Sequence, residues 1–228
     1  MQSIREFKPD INNYDHLFAL SNAKIITVNV EIFLHFFVER KDEEIFPDFV
    51  TTLDSNFIYQ FLLKREVASR CSVMSGADII SKTLAYAEAR NLVVKIIGGD
   101  GQSLDKNTQI ITSKYPNLVF EIISIDVTAT GTISEEINLD QRLAGSDFIF
   151  IALGSPKQER FISRYNHLFP DQYRFAIGVG GGLDFVTGVE KRSPKSLRSL
   201  GLEWIWRILM NPFRFKRLIK ALRIFKSL

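Results

Sequence analysis

Residues 146–192 are the stretch that most constrains how this chain can fold. Two apolar runs of strand length, 148–153 and 175–179, each end at glycine, and between them lies a segment of helical pattern that begins Ser-Pro-Lys-Gln-Glu. This is the order of a strand, a helix and a second strand parallel to the first. In an open parallel sheet, the turns after such strands lie along the carboxyl edge, where phosphate-bearing ligands bind. The stretch therefore predicts a nucleotide site at that edge.

The rest of the chain continues the alternation of strands and helices. Strands are predicted at 24–29, 93–97, 119–125, 148–153 and 174–179, and residues 48–54 are either a loop or a short strand. Helices are predicted at 30–40, 56–65, 77–90, 103–114, 134–144 and 157–168, after an irregular lead-in at 1–22. This rhythm predicts an α/β fold, with a modified Rossmann-like, doubly wound and mostly parallel sheet.

Cysteine usage and hydropathy indicate a cellular setting. The 228 residues include a single cysteine, Cys71, so no disulfide can form within the chain. The first residues contain no apolar core of signal-peptide length, and no stretch reaches the ~18 apolar residues needed to span a bilayer. We therefore expect a cytoplasmic protein that is neither exported nor integral to a membrane.

Charge is distributed unevenly along the chain. From Lys191 onward there are eleven Lys or Arg and one acidic residue, Glu203, which is a net charge of +10, so the preceding 190 residues carry −7 of the total of +3. We divide the chain into a Rossmann-like domain at 1–194 and a basic amphipathic appendage at 195–228. The appendage needs an anionic partner: a membrane surface, a nucleic acid or a phosphorylated substrate. Alternatively, its last helix packs its apolar face on the domain and leaves its charges in solvent.

A glycine run follows the last predicted strand. Gly180, Gly181 and Gly182 would let backbone amides approach a diphosphate without a Cβ in the way. The run fits the dinucleotide fingerprint poorly, because its third glycine is misplaced and Asp184 comes too early to bind a ribose. A nicotinamide dehydrogenase is therefore disfavoured, whereas a plain strand-to-loop turn stays open.

The segment that follows the other glycine-ended strand has two interpretations. Ser155 suits a helix N-cap, Pro156 the first helical position and Gln158 a capping box. That interpretation leaves Lys157 unexplained. Lys157 and Gln158, at a helix start behind a glycine, are suited to meet an anion or a sugar hydroxyl.

Asp54 is the candidate general base, although its position before a helical stripe favours an N-cap role. It can act as a base only if folding brings it to the glycine-lined edge. Thr27, Asn29 and Glu31, at the end of the first strand, serve either turn chemistry or ligand contacts.

Metal-binding patterns are missing from the sequence. There is no Asp-x-Asp pair, and His16, His35 and His167 are scattered. If a diphosphate leaves, Arg and Lys must offset its charge in place of a metal. Arg207, Arg214 and Arg217 of the basic appendage are the candidates.

Several sequence blocks, in order, resemble the bacterial WecG/TagA/CpsF glycosyltransferases (family 26). The specific blocks are ALGSPKQERFI at 152–162 and IGVGGGLDFVTGVEKRSPKSLRSLGLEWIWRILMNPFRFKR at 177–217. TVNVEIF at 27–33 and SGADI at 75–79 are similar to two further family segments. The family's Pro-Asp-Gly is Leu-Asp-Ser at 53–55 here, its Arg before the second segment is replaced by Val73 with Arg70 nearby, and its Gly-Tyr-Phe is Gly-Thr-Ile at 131–133. These departures fall in the half of the chain that would shape the pocket for the donor sugar or the acceptor.

The resemblance implies a metal-independent, inverting glycosyltransferase. It would move a sugar from a UDP-sugar to a lipid-linked saccharide in surface-polymer synthesis, and would need no cofactor. Asp54 would be the catalytic base. Residues that would bind substrate are Thr27, Asn29, Gly154, Lys157, Gln158, Glu159, Gly180, Gly181, Gly182, Asp184, Arg207, Arg214 and Arg217.

A lipid-linked acceptor would explain why the chain carries a basic appendage that can bind a membrane. The resemblance implies that the protein lies on the inner face of the cell membrane and has no nucleic-acid partner. Self-association stays open. Two rival functions also stay open, a nucleotide-binding oxidoreductase and a catalytically idle membrane-associated module of the same fold.

Overall fold

One parallel sheet organises the protein. The structure is a computed structural model and describes residues 9–11, 13–64, 72–98, 101–135, 137–189 and 194, with only the backbone at 101–103. Within these residues the strands are β1 Ala23–Val28, β2 Val50–Leu53, β3 Val93–Gly98, β4 Val119–Ile123, β5 Phe148–Ala152 and β6 Phe175–Gly178. They pair in the order β2-β1-β6-β5-β3-β4, and every pairing is parallel. The predicted Rossmann-like α/β class is confirmed.

Helices cover both faces of the sheet. Their bounds are α1 Tyr14–Phe18, α2 Val30–Ile32, α3 Asn56–Leu63, α4 Gly76–Glu88, α5 Gly101–Lys114, α6 Leu139–Leu143, α7 Lys157–Tyr165 and α8 Gly182–Thr187. A π-helix at Phe33–Val38 continues α2, and 3₁₀ turns occupy Glu43–Asp48 and Asn166–Leu168. The cores place α2, α3, α6 and α7 on one face, and α1, α4, α5 and α8 on the other.

Alternation of side chains along the central strands builds the two cores. In β5, Ile149 and Ile151 point into the core under α7, while Phe148 and Phe150 point into the core under α4. All four side chains are completely buried. A strand covered on both faces needs apolar residues at successive positions, and this is why the run was recognisable in the sequence.

Three predicted segments differ from the observed structure, and one observed helix was missed. The lead-in at 1–22 is not irregular throughout, because α1 is capped by Asn13 and buries Leu17. The helix predicted at 134–144 is reduced to α6, because residues 127 and 133 pair in a turn and Ser134 donates its backbone N–H to Asp126. The helix predicted at 30–40 becomes π-helical after residue 32, and α8 was not predicted. The appendage predicted at 195–228 lies outside the described residues.

Candidate active site

The carboxyl ends of the strands form the edge at which the predicted site residues lie. The loops after β1 and β5 lead to helices on one face, whereas the loops after β3 and β6 lead to helices on the other. The loops after the adjacent strands β1 and β6 therefore diverge, and open α/β sheets bind ligands between such diverging loops. The candidate residues described below lie along this edge.

The turn at residues 180–182 presents one exposed backbone donor. Gly180 has φ +49°, and its N–H donates to Oε1 of Gln158 at 2.9 Å. Gly182 donates its N–H to the carbonyl of Val179 at 2.8 Å. Gly181 is exposed, and its N–H has no acceptor among the described residues. A Cβ at residue 181 would meet nothing within 4 Å, so the space beside this amide is open.

Gln158 joins the two glycine turns and is buried, with 3% of its surface exposed. Its Oε1 accepts from Gly180, and its Nε2 donates to Oε1 of Glu159 at 2.8 Å. A Cβ at Gly178 would lie 2.5 Å from Cδ of Gln158, so any side chain at residue 178 would force this amide to shift. On the other side, Gly154 has φ +77° and accepts the backbone N–H of Gln158. The side chain of Gln158, which was predicted to orient sugars, therefore stabilises the two glycine turns from the protein interior.

Glu159 lies beneath the same edge and is 1% exposed. Burial raises the pKa of Glu159 to about 7, against hydrogen bonds from Gln158, its own backbone N–H and the hydroxyl of Ser155. The charge of Glu31 adds to the increase. The Ser155 hydroxyl is close enough to act on the carboxyl, yet neither Oγ of Ser155 nor Oε2 of Glu159 makes a hydrogen bond of good geometry.

The capping prediction for α7 is wrong. The helix begins at Lys157, and Pro156 occupies the cap position with no side-chain hydrogen bond to the helix. Ser155 is therefore one residue too early to cap, and Gln158 turns inward instead of closing a capping box. Tertiary contacts with Gly178 and Gly180 have overridden the local sequence signal.

Lys157 is engaged with the loop after β4. Its Nζ donates to the carbonyl of Val127 at 3.0 Å. Further along α7, Arg160 Nη1 donates to the carbonyl of Ala129 at 2.8 Å, and the hydroxyl of Tyr165 accepts from the backbone of Ile133 at 3.1 Å. Three side chains of one helix thus hold the 127–133 loop, the segment in which the chain departs from the family's Gly-Tyr-Phe.

Thr27 and Asn29, at the end of β1, both have structural partners. Thr27 is 4% exposed and donates its hydroxyl to the carbonyl of Gly178 at 3.3 Å, which ties β1 to β6. Asn29 caps α2, because its Oδ1 accepts from the backbone of Ile32 at 3.0 Å. The turn chemistry considered for Asn29 is confirmed, whereas the hydroxyl of Thr27 makes a contact between two strands.

Asp54 comes to the same edge, at the end of the adjacent strand. Its backbone N–H donates to the carbonyl of Val28 at 3.0 Å, directly after the last pair of the β1–β2 ladder, Val28 and Leu53. The N-cap of α3 is Ser55, whose hydroxyl accepts from Ile58, so the N-cap role favoured for Asp54 is wrong. β2 lies two strands from β6, which is about 10 Å at ~4.8 Å per strand.

The start of α4 also belongs to the site, although no residue there was among the candidates. A Cβ at Gly76 would lie 3.6 Å from Cα of Val179 and 3.8 Å from Oγ1 of Thr27. Ser75 caps this helix by accepting the N–H of Asp78 at 3.2 Å. The sequence signal was present, because a Ser followed three residues later by an acid is an N-cap pattern. Its proximity to the glycine turn could not be predicted from that pattern.

Of the remaining candidate residues, the structure describes Asp184 but not the three arginines. Asp184 lies in the first turn of α8, half-buried. Arg207, Arg214 and Arg217 lie outside the described residues. No group of three or more His, Cys, Asp or Glu that could hold a metal ion occurs in the part of the chain that the structure describes. Whether catalysis is metal-independent stays a prediction.

The fold and this edge define a Rossmann-like α/β protein with its candidate site at the carboxyl ends of the strands. The chain matches the description "Glycosyl transferase WecG/TagA/CpsF family" over residues 12–228. It belongs to this family and is therefore a glycosyltransferase.

Two curated relatives carry the same name, N-acetylglucosaminyldiphosphoundecaprenol N-acetyl-beta-D-mannosaminyltransferase. The protein from Bacillus subtilis (strain 168) is 33% identical over 205 residues, which cover 86% of this chain and 75% of that protein. The protein from Bacillus spizizenii (strain ATCC 23059 / NRRL B-14472 / W23) is 31% identical over 150 residues, which cover 65% of this chain and 56% of that protein.

Proposed function

We propose that this protein is an inverting, metal-independent glycosyltransferase. It moves a sugar from a UDP-sugar to a saccharide linked through diphosphate to a polyprenyl lipid, during synthesis of a bacterial surface polymer. One observation carries the proposal: Asp54 does not cap α3 and lies on the same sheet edge as the exposed Gly181 amide. A carboxylate base and a backbone donor for a phosphate are the two groups that such a transfer needs.

The proposed reaction is a single displacement. Asp54 takes the proton of the acceptor hydroxyl as its oxygen attacks the anomeric carbon, and the bond from that carbon to the diphosphate breaks on the opposite face. UDP leaves with the bonding electrons. A positioned base contributes about 10²- to 10⁴-fold, because an alcohol is a poor nucleophile near neutral pH.

The other residues have proposed roles that follow from their positions. The N–H of Gly181 donates to the diphosphate, while Gly154, Gly180 and Gly182 allow the backbone to approach it. Asp184 belongs to the wall of this site, whereas Glu159, which was predicted to bind substrate, is buried beneath it. Thr27, Asn29, Lys157 and Gln158 hold the surrounding turns through the hydrogen bonds described above. Arg207, Arg214 and Arg217 would offset the charge that grows on the departing UDP.

The names of the relatives suggest a donor and an acceptor for this chain. We propose an acceptor that ends in N-acetylglucosamine, and a donor sugar of the N-acetylmannosamine type as the first to test. The chain departs from the family pattern at Ser55 and in the 127–133 loop, so the assay also includes donors with other sugars.

Membrane association is proposed for the basic appendage. No helix in the described part of the chain is long and apolar enough to cross a membrane. The eleven cations from Lys191 onward would attract anionic headgroups on the inner face of the membrane. Such attachment would bring the site to a lipid-linked acceptor.

A transfer assay with the full chain tests the function. A short-chain polyprenyl-diphosphate-linked N-acetylglucosamine is incubated with each of a panel of UDP-sugars, with and without EDTA. We expect one sugar to be added from one donor, with inverted anomeric configuration and no effect of EDTA. Transfer only from other nucleotide sugars would refute the UDP donor. UDP binding with neither transfer nor hydrolysis would indicate the idle module.

A further inference from the structure

The hydrogen-bond partners of the Gln158 side-chain amide determine its orientation. A backbone N–H can only donate, so the group of Gln158 that faces Gly180 must be its oxygen, at 2.9 Å. The amide nitrogen then faces Glu159, whose Oε1 accepts from it at 2.8 Å. The opposite orientation would place the amide NH₂ against the N–H of Gly180, so two donors would face each other without an acceptor between them.

Glu159 is placed to hold that orientation and has no access to a ligand. It is 1% exposed and lies on the far side of Gln158 from the turn. Its second oxygen, Oε2, is buried and makes no hydrogen bond among the described residues. A carboxyl group is expensive to bury, so its presence here calls for a function beyond filling space.

The contacts that begin at Glu159 and pass through Gln158 end at the turn of residues 180–182. Gln158 holds Gly180, and Gly180 precedes Gly181, the residue whose N–H is exposed. Gly180 has φ +49°, a region in which a glycine moves easily to other conformations when nothing holds it. The bond from Gly180 to Gln158 therefore restrains the backbone that carries the neighbouring Gly181 amide.

We propose that Glu159 is a positioning residue that fixes the amide of Gln158 and, through it, the backbone turn that presents Gly181 to the nucleotide. Glu159 itself does not touch the substrate. The role as a whole rests on the proposed function, because the ligand of the turn is taken to be a uridine nucleotide. The contacts from Glu159 to Gly180 do not depend on that ligand.

The experiment measures the mobility of the turn at residues 180–182 with and without a ligand, in the full chain. Hydrogen exchange of the Gly180 amide, followed by NMR, reports the turn directly, and calorimetric titration with UDP reports binding. The variants are E159L, which removes the acceptor, and E159Q, which keeps an oxygen in the same place. E121Q is the control, because Glu121 of β4 pairs with Lys95 of β3 and Arg142 of α6, away from the turn.

We expect E159L to speed Gly180 exchange by about tenfold and to weaken UDP binding by about tenfold, the loss of one buried hydrogen bond. E159Q should return both to within about threefold of the unaltered protein, and E121Q should change neither. In a Q158A background, E159L should have no further effect on UDP affinity, since Glu159 acts through Gln158.

Three outcomes overturn the proposal: unchanged Gly180 exchange in E159L, equal losses in E159Q and E159L, or an undiminished effect of E159L in the Q158A background. If E159L does not fold, E159D replaces it, because it withdraws the carboxylate by one methylene and should loosen Gly180 in the same way. If the unaltered protein fails to bind UDP, the proposed function fails, and Gly180 exchange alone decides the role of Glu159.

Discussion

Gly178 lies directly beneath the side-chain amide of Gln158, so close that a β-carbon at residue 178 would be 2.5 Å from Cδ and 2.8 Å from Cγ of Gln158. Gln158 cannot move away without losing its bonds to Gly180 and Glu159. We therefore predict that G178A lowers the free energy of unfolding by about 1–3 kcal/mol, the usual cost of overpacking a well-packed site. Urea denaturation measures it.

The matched control for this variant is G181A. A Cβ at residue 181 meets nothing within 4 Å, and Gly181 has φ −72°, which alanine adopts readily. G181A should leave stability nearly unchanged. In a Q158A background, which removes the amide, G178A should cost much less than it does alone. An equal cost in both backgrounds would show that Gln158 is not what excludes a side chain at 178.

The exposed amide of Gly181 can be deleted without changing the backbone. Gly181 has φ −72°, close to the value that proline imposes, and the preceding Gly180 tolerates unusual angles. We predict that G181P keeps its thermal stability and binds UDP about tenfold more weakly, because its nitrogen cannot donate. Titration calorimetry of G181P beside G181A separates the lost donor from the added carbon atoms. Equal affinities would exclude the Gly181 N–H as a phosphate ligand.

The sequence predicted best those elements whose own residues determine them. β5 and β6 are continuous apolar runs because both faces of the sheet are covered, and the glycines after them were visible at once. The order of the strands in the sheet could not be predicted from the sequence, because buried strands of an all-parallel sheet have similar apolar patterns. The helix at 134–144 was predicted too long, since its first residues follow a turn that α7 holds through Lys157 and Arg160.

The sequence predicted that the candidate residues meet at one sheet edge, but it did not predict their contacts with one another. Asp54 lies at that edge, as its predicted role requires, but the N-cap of α3 is its neighbour Ser55 and not Asp54. Gln158 looked like a capping residue or a sugar ligand. Its inward orientation depends on Gly178 and Gly180, about twenty positions away in the chain, and no local pattern encodes that contact.

The role of Asp54 as a base is tested by replacing its carboxylate with an amide of the same shape that cannot accept a proton. D54N retains the backbone bond to Val28 and an oxygen of similar placement, so folding and UDP affinity should stay within about twofold. Turnover should fall by about 10²- to 10⁴-fold, because an amide cannot take the proton of the acceptor hydroxyl. S55A is the control for the adjacent helix cap and should lower stability by about 1 kcal/mol with little effect on turnover per folded molecule. Unchanged turnover in D54N would reject Asp54 as the base.

Glu159 should make stability depend on pH in a direction opposite to that of most acids. Burial raises the pKa of its carboxyl from 4.5 to about 7, so between these values the folded protein binds a proton that the unfolded chain has released. Stability should therefore be greatest below about pH 4.5 and should decrease as pH rises to about 7, by about 3 kcal/mol for a fully buried group. The field of Glu31 acts in the same direction, so lowering its charge would reduce the effect.

The measurement compares E159Q with the unaltered protein by urea denaturation at pH 5 and pH 8. Glutamine cannot titrate, so the stability of E159Q relative to the unaltered protein should rise by about 2–3 kcal/mol between the two pH values. E121Q provides the contrast. Burial acts to raise the pKa of Glu121, but hydrogen bonds from Lys95 and Arg142 bring it below its ordinary value, so its titration lies at more acidic pH. The E121Q difference should be the same at pH 5 and pH 8, whereas a constant E159Q difference would mean that Glu159 does not titrate between them.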